Sequence, residues 1–210
     1  DYWDPVFTIN GQVKAFPDGN TYGPDLVNDY VCDFIDRKKD EPFFIYYPLW
    51  LTHGPFMPTP DSADRSSTSS QKNFEDMTAY MDKLVGRVVD KLDEAGIRDN
   101  TLILFASDNG ACASTDKPAG GDRSGVFGSV NSYECTGLSW ANVSNTPFRF
   151  YKLKSYEGGT TTPLIAHWPK GISEKNVFNR ENCHFIDIMS TVMDLAGANY
   201  PGEAKNLTVS

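Results

Sequence analysis

Three polar clusters hold the residues of this 210-residue chain that are equipped for chemistry. In the first, Leu51-Thr52-His53-Gly54-Pro55, His53 brings an imidazole, which titrates near neutral pH and can act as a general acid or base. The second, Ser107-Asp108-Asn109-Gly110, sets a carboxylate beside an amide oxygen, with Gly110 free to turn the chain sharply. Hard cations such as Ca²⁺ and Mg²⁺ take oxygen donors of this kind. In the third, Lys152 and Lys154 precede Glu157-Gly158-Gly159, and a lysine held near a cation site can clamp an anionic substrate. Each cluster alone also has an ordinary explanation: Ser-Asp-Asn-Gly is favoured turn chemistry, a loop histidine satisfies local hydrogen bonds, and surface lysines are mostly solvated. Glu157 reads as tying the following turn to the backbone. His167, inside a predicted strand, and His184, opening a predicted helix, read as structural.

The elements that must position these clusters follow from periodicity. Residues 1–24 read as loop with one short hairpin around Asn10-Gly11. From Asp25, Leu26, Tyr30, Phe34 and Ile35 recur at helical spacing, with Arg37-Lys38-Lys39 in the last turn. Phe43 to Tyr47 reads as a strand buried on both faces, and residues 52–73 as a Pro- and Ser-rich loop. The clearest helix runs from Phe74 to Gly96, with Met77, Tyr80, Met81, Leu84, Val85, Val88, Val89 and Leu92 on one stripe. Thr101–Ala106 and Pro163–Trp168 read as strands, Pro118–Asn145 as a glycine-bearing loop, and His184–Ala196 as a helix stopped by Gly197. Helices alternating with buried-looking strands predict an α/β sandwich around a mostly parallel sheet. Ligands gather outside the carboxyl ends of strands in such sheets, which is where the clusters lie.

Nineteen basic against 28 acidic residues give a net charge of −9, and hydrophobic residues make up 40%. That balance excludes a wholly disordered chain and is unsuited to non-specific nucleic-acid binding. The longest apolar run, near Phe43 to Leu51, is broken by Pro48 and is too short to span a bilayer. Cys32, Cys112, Cys135 and Cys183 form no Cys-x-x-Cys pair, which argues against structural zinc and leaves disulfide pairing open. Sequons stand at Asn142 and Asn206.

Taken together and in this order, the clusters resemble the sulfatase family of the alkaline-phosphatase superfamily. The resemblance is carried by Pro42-Phe43-Phe44-Ile45-Tyr46-Tyr47 with Thr52-His53, and by Thr101 to Gly110. It continues through Trp140 to Lys152, Tyr156-Glu157-Gly158-Gly159, Thr162 to Gly171 and the His184–Gly197 helix. It extends over most of residues 25–200, and the stretch around Lys152 is similar to the bacterial-type arylsulfatase branch. The resemblance implies an alkaline-phosphatase-like α/β/α sandwich and hydrolysis of a sulfate monoester, small-molecule or carbohydrate. Asp108 and Asn109 would then be two ligands of a divalent cation, usually calcium. His53 would stand beside the leaving-group oxygen, and Lys152, in the Lys-x-x-x-x-Glu-Gly-Gly pattern, would contact the sulfate. Lys154 matches no functional position. A periplasmic or extracellular location is what the family implies.

One departure is plain. Sulfatases use a formylglycine made within Cys/Ser-x-Pro/Ala-x-Arg, and no cysteine or serine here stands in that motif. The family's first metal-binding aspartates, and the Arg, Lys and His beside the nucleophile, also have no match. Residues 1–210 therefore read as the later part of a sulfatase domain with its nucleophile half missing, inactive alone and weak in metal binding. Apolar surface left uncovered in this way leads to an expectation of homo-oligomers. A related phosphodiesterase or phosphonate hydrolase, and a non-catalytic sulfatase-like domain, are the alternatives.

Overall fold

A computed structural model describes residues 2–113 and 137–199, together with the backbone of 203–204 and 207–208. The chain divides into two units, Asp1–Ser173 and Glu174–Ser210.

The first unit opens with a hairpin of β1 (Val6–Ile9) and β2 (Gln12–Ala15), whose register pairs Ile9 with Gln12. Asn10 and Gly11 between them both take positive φ, 52° and 79°, the backbone a two-residue hairpin turn requires. Helix α1 (Gly23–Lys38) carries Pro24 in its first turn, and Arg37 and Lys38 in its last turn offset the carbonyl end of the dipole. Helix α2 (Ser70–Glu94) starts where the Ser69 hydroxyl accepts the Lys72 N–H at 3.3 Å and stops before Gly96, at φ 71°.

The two helices pack along the stripe that the sequence marks. Met77, Tyr80 and Leu84 of α2 join Tyr2, Tyr22, Leu51 and Phe56 in one buried cluster, and Leu92 joins Val31 and Ile35 in another. Asn28 is buried between the helices, and its amide donates to the Leu84 carbonyl at 3.0 Å, so the polar group is satisfied. The Asp76 carboxylate accepts Lys72 Nζ and Ser62 Oγ, each at 2.7 Å, tying α2 to the preceding loop. The Lys72 bond, first, and the Ser62 bond hold this carboxyl below its ordinary value. Because the folded pKa is depressed, the stabilisation is complete above the unfolded value of about 3.9 and is lost as pH falls through the folded value. Asp76→Asn is expected to cost about 1 kcal/mol at neutral pH. Urea titrations of both proteins should converge as pH drops below about 4.

Strand β3 (Ile103–Ala106) pairs antiparallel with β4 (Leu164–His167), matching Ile103 with His167 and Ala106 with Leu164. This differs from the mostly parallel sheet that the sequence predicts: among the described residues every strand pair is antiparallel. The predicted strand at Phe43–Tyr47 is likewise not a strand. Phe43, Ile45 and Tyr47 pack against the Val31–Ile35–Leu92 cluster, while Phe44 and Tyr46 are 59% and 80% exposed. The segment keeps a strand's alternation, yet no strand among the described residues pairs with its backbone, and a ladder needs two partners. Residues 137–144, predicted as loop, form α3 (Gly137–Ser144), and the rest of that predicted loop, 118–136, lies outside the described residues. A single helical turn, α4 (Glu157–Thr160), precedes β4.

The second unit contains α5 (Phe185–Leu195) and a short pair, β5 (Glu203–Ala204) and β6 (Leu207–Thr208). His184 caps α5: its Nδ1 accepts the Ile186 N–H at 3.2 Å while Asp187 accepts the His184 N–H at 2.7 Å. The structural reading of His184 holds. His167 ends β4 paired with Ile103, also as a structural residue. No described helix is long and apolar enough to cross a membrane.

Candidate active site

Antiparallel pairing of β3 with β4 sets the site's location. It puts the residues that follow β3 beside those that precede β4, so Ser107–Gly110 meets the Glu157–Thr162 segment. Thr162 Oγ1 donates to the Ser107 carbonyl at 2.8 Å, and Gly110 N donates to the Gly159 carbonyl at 3.3 Å. The polar cluster that follows β3 therefore lies against the segment that precedes β4.

Three glycines let the two segments close. A Cβ on Gly110 would lie 1.9 Å from the Gly158 oxygen, and one on Gly158 would lie 2.0 Å from the Phe150 oxygen. One on Gly159 would lie 2.2 Å from the Lys154 oxygen. Only hydrogen fits in these gaps, so backbone packs on backbone. Gly158 N then donates to the Arg149 carbonyl at 2.9 Å, and Lys152 N donates to the Ala111 carbonyl at 3.0 Å. The Lys152 main chain is thereby tied to Ala111, the residue after the Asp108-Asn109-Gly110 turn. Phe150 and Leu153, on either side of it, take left-handed φ of 65° and 74°. Such conformations cost non-glycine residues of order 1–3 kcal/mol and are found where the fold over-determines a functional segment.

Asn145 clasps the same closure. Its Oδ1 accepts the Ala111 N–H at 3.1 Å and its Nδ2 donates to the Phe150 carbonyl at 3.0 Å, one side chain joining both segments. Asn145→Ala leaves two half-buried backbone groups without partners and is expected to cost about 1–3 kcal/mol in urea unfolding. In the sequence Asn145 is one residue of the Trp140–Lys152 run, which says nothing about a partner 34 residues away. Glu157 starts α4, and its carbonyl accepts the Thr161 N–H at 2.8 Å, so it serves the turn through its main chain. Lys154 is exposed and contributes its carbonyl to the Gly159 contact.

His53 stands on a different loop. Its Nδ1 lies 2.8 Å from the Gly54 carbonyl, and a carbonyl only accepts, so Nδ1 carries a proton and Nε2 is the nitrogen left to give or take one. The loop is anchored from beneath by Tyr2, whose hydroxyl reaches the His53 carbonyl at 2.6 Å and the Trp50 carbonyl at 3.0 Å. Burial pushes the Tyr2 phenol well above its ordinary value, which keeps it a donor. The structure thus joins the second and third clusters by direct hydrogen bonds. His53 is joined to neither by a hydrogen bond or ion pair among the described residues.

Asp108 and Asn109 offer oxygen donors of the type a hard cation takes, but calcium takes about six to eight. Among the described residues no group of three or more His, Cys, Asp or Glu side chains gathers at a metal-sized spacing. The pair suits such an ion as part of a larger ligand set.

Residues 5–198 match the Sulfatase family. The chain belongs to the sulfatase family. Among sulfatase relatives, it is 34% identical to arylsulfatase G of Rattus norvegicus, over 82% of this chain and 30% of that protein. It is 31% identical to steryl-sulfatase of Mus musculus, over 83% of this chain and 24% of that one. The fold is similar to the crystal structure of Ps i-CgsB in complex with k-i-k-neocarrahexaose. The TM-score is 0.64 at 23% identity, covering 92% of this chain and 40% of that one. Sulfatase relatives matched by this chain are much longer: it spans from 24% to 32% of their length.

Proposed function

We propose that these residues form part of an enzyme that hydrolyses a sulfate monoester and releases inorganic sulfate. The observation that supports this reading is the main-chain closure of Lys152 onto Ala111, the residue that follows the Asp108-Asn109-Gly110 turn. A sulfate ester is an anion, and a protein of net charge −9 must hold it with local positive charge in direct contact. Lys152 supplies that charge from a backbone held rigid on both sides, so little reorganisation accompanies binding.

His53, as the imidazolium, gives its Nε2 proton to the departing alkoxide or phenoxide as the sulfur–oxygen ester bond breaks, and keeps the Nδ1 proton that it donates in a hydrogen bond to the Gly54 carbonyl. Asp108 and Asn109 are proposed as two ligands of a calcium ion, which when bound would supply Lewis-acid stabilisation of sulfate oxygens. The nucleophile that takes the sulfuryl group is proposed to be a formylglycine hydroxyl from outside residues 1–210. These residues alone are then expected to turn nothing over. The Phe43–Tyr47 segment packs on the same core cluster as Ile103 of β3, and its alternation suits a place in a larger, mostly parallel sheet of the α/β/α kind. The names of relatives include a steryl-sulfatase and N-acetylgalactosamine-6-sulfatases, so both steroid and sugar esters are in scope.

The test is sulfate release from a sulfate monoester by the catalytic protein that contains these residues, with the matching phosphate diester as the competing substrate. Sulfate release that falls with Lys152→Ala supports the reading. Turnover of the phosphate diester alone, or unchanged kcat/KM in the variant, overturns it.

A further inference from the structure

Arg149 has no part in the proposed hydrolysis, yet the fold holds it at both ends. Its carbonyl accepts the Gly158 N–H at 2.9 Å. Its guanidinium lies over two rings, 5.2 Å from the centre of Phe150 and 5.9 Å from that of Tyr156, rings themselves 4.5 Å apart. Cation–π contact of this kind restrains the guanidinium against the rings without using up its N–H donors. Leu138, Asn142, Phe150 and Tyr151 join Arg149 around an open depression of about 280 Å³. That is the scale of one sugar ring rather than of a polymer segment.

On the helical side, Arg37, Lys38, Lys72, Lys83, Arg87 and Lys91 each face a carboxylate. Arg149 and Lys152, three residues apart, face none among the described residues, in a chain with nine more acidic than basic groups. A planar guanidinium with free edges matches a carboxylate or sulfate through two parallel hydrogen bonds.

The geometry points to Arg149, stacked on Phe150 and Tyr156, as a subsite for a second oxyanion on the substrate, which makes the preferred substrate a saccharide bearing two anionic groups. Lys152 takes the ester sulfate, as proposed above, and the present inference rests on that reading for the identity of the first anion. The sugar then sits in the depression that Leu138, Phe150 and Tyr151 line.

Isothermal titration of the chain at fixed ionic strength tests this, with galactose 6-sulfate, galactose 2,6-disulfate and glucuronic acid 2-sulfate as probes. Either doubly charged sugar is expected to bind about tenfold tighter than the monosulfate. Arg149→Ala should erase that preference and leave monosulfate affinity unchanged. Arg149→Lys, which keeps the charge and loses the fork, should recover only part of it, and it decides the matter if the alanine variant has no thermal transition. A preference that survives both substitutions overturns the subsite, as does no binding of either doubly charged sugar at tens of millimolar. The Lys152→Ala variant is read separately: monosulfate affinity that it leaves intact overturns the role given to Lys152, while the preference lost in Arg149→Ala still supports the subsite.

Discussion

Replacing His53 by alanine is expected to lower kcat by about a hundred- to ten-thousand-fold for sulfate esters of alkyl alcohols, the range a positioned general acid contributes. For esters whose departing phenoxide is already stable, the loss should shrink, because little proton transfer is needed in the transition state. A leaving-group series therefore separates proton donation from mere positioning: the variant's rates should depend far more steeply on leaving-group pKa than those of the unsubstituted protein. Equal losses across the series would remove His53 from that role. The fold is not at stake in this substitution. The imidazole is exposed, and its hydrogen bond runs only to the adjacent Gly54 carbonyl. The loop itself is held through main-chain carbonyls by Tyr2, which the substitution leaves in place.

Gly158→Ala is expected to be the most destabilising conservative change at the site. The new methyl would sit 2.0 Å from the Phe150 oxygen and 2.5 Å from the Arg149 oxygen. Both are backbone atoms, so no rotamer change relieves the overlap, and the Gly158–Arg149 hydrogen bond of 2.9 Å must open. A cost of about 3 kcal/mol or more follows, at the upper end for overpacking. Gly86 in α2 is the matched control: a Cβ there meets nothing within 4 Å. Gly86→Ala should stabilise by up to about 1 kcal/mol through helix propensity. Urea midpoints measured side by side give opposite signs if the backbone closure is as tight as described, and equal small shifts if it is not. Because Phe150 and Arg149 move with the closure, Gly158→Ala should also weaken sulfate binding at Lys152.

The two substitutions illustrate how unevenly the site was legible. The α2 stripe, the Asn10-Gly11 turn, the stop at Gly96 and the strands at 103–106 and 164–167 can be read from periodicity and turn chemistry, which are local. His53, Asp108, Asn109 and Lys152 can be picked out by residue type, and their order along the chain carries the family resemblance. Arg149 and Asn145 were hidden inside the same run because a stacked guanidinium and a two-segment amide clasp leave no mark on spacing. The Phe43–Tyr47 segment shows the converse. Its alternation is real in the structure, with Phe44 and Tyr46 on the open side, but alternation specifies a face and says nothing about which strand lies alongside.

Local sequence by itself determined helices α1, α2 and α5, the Asn10-Gly11 turn, the acidic balance and the identities of the groups able to do chemistry, since each depends on neighbours within a few residues. Only the tertiary structure decided that the Lys152 main chain bonds to Ala111, next to the Asp108-Asn109-Gly110 turn. That contact follows from the antiparallel register of β3 and β4 and from glycines that admit backbone at contact distance. Pairing between strands far apart along the chain is a choice among partners that compete for the same hydrogen bonds, and it is settled by the packing of the whole chain.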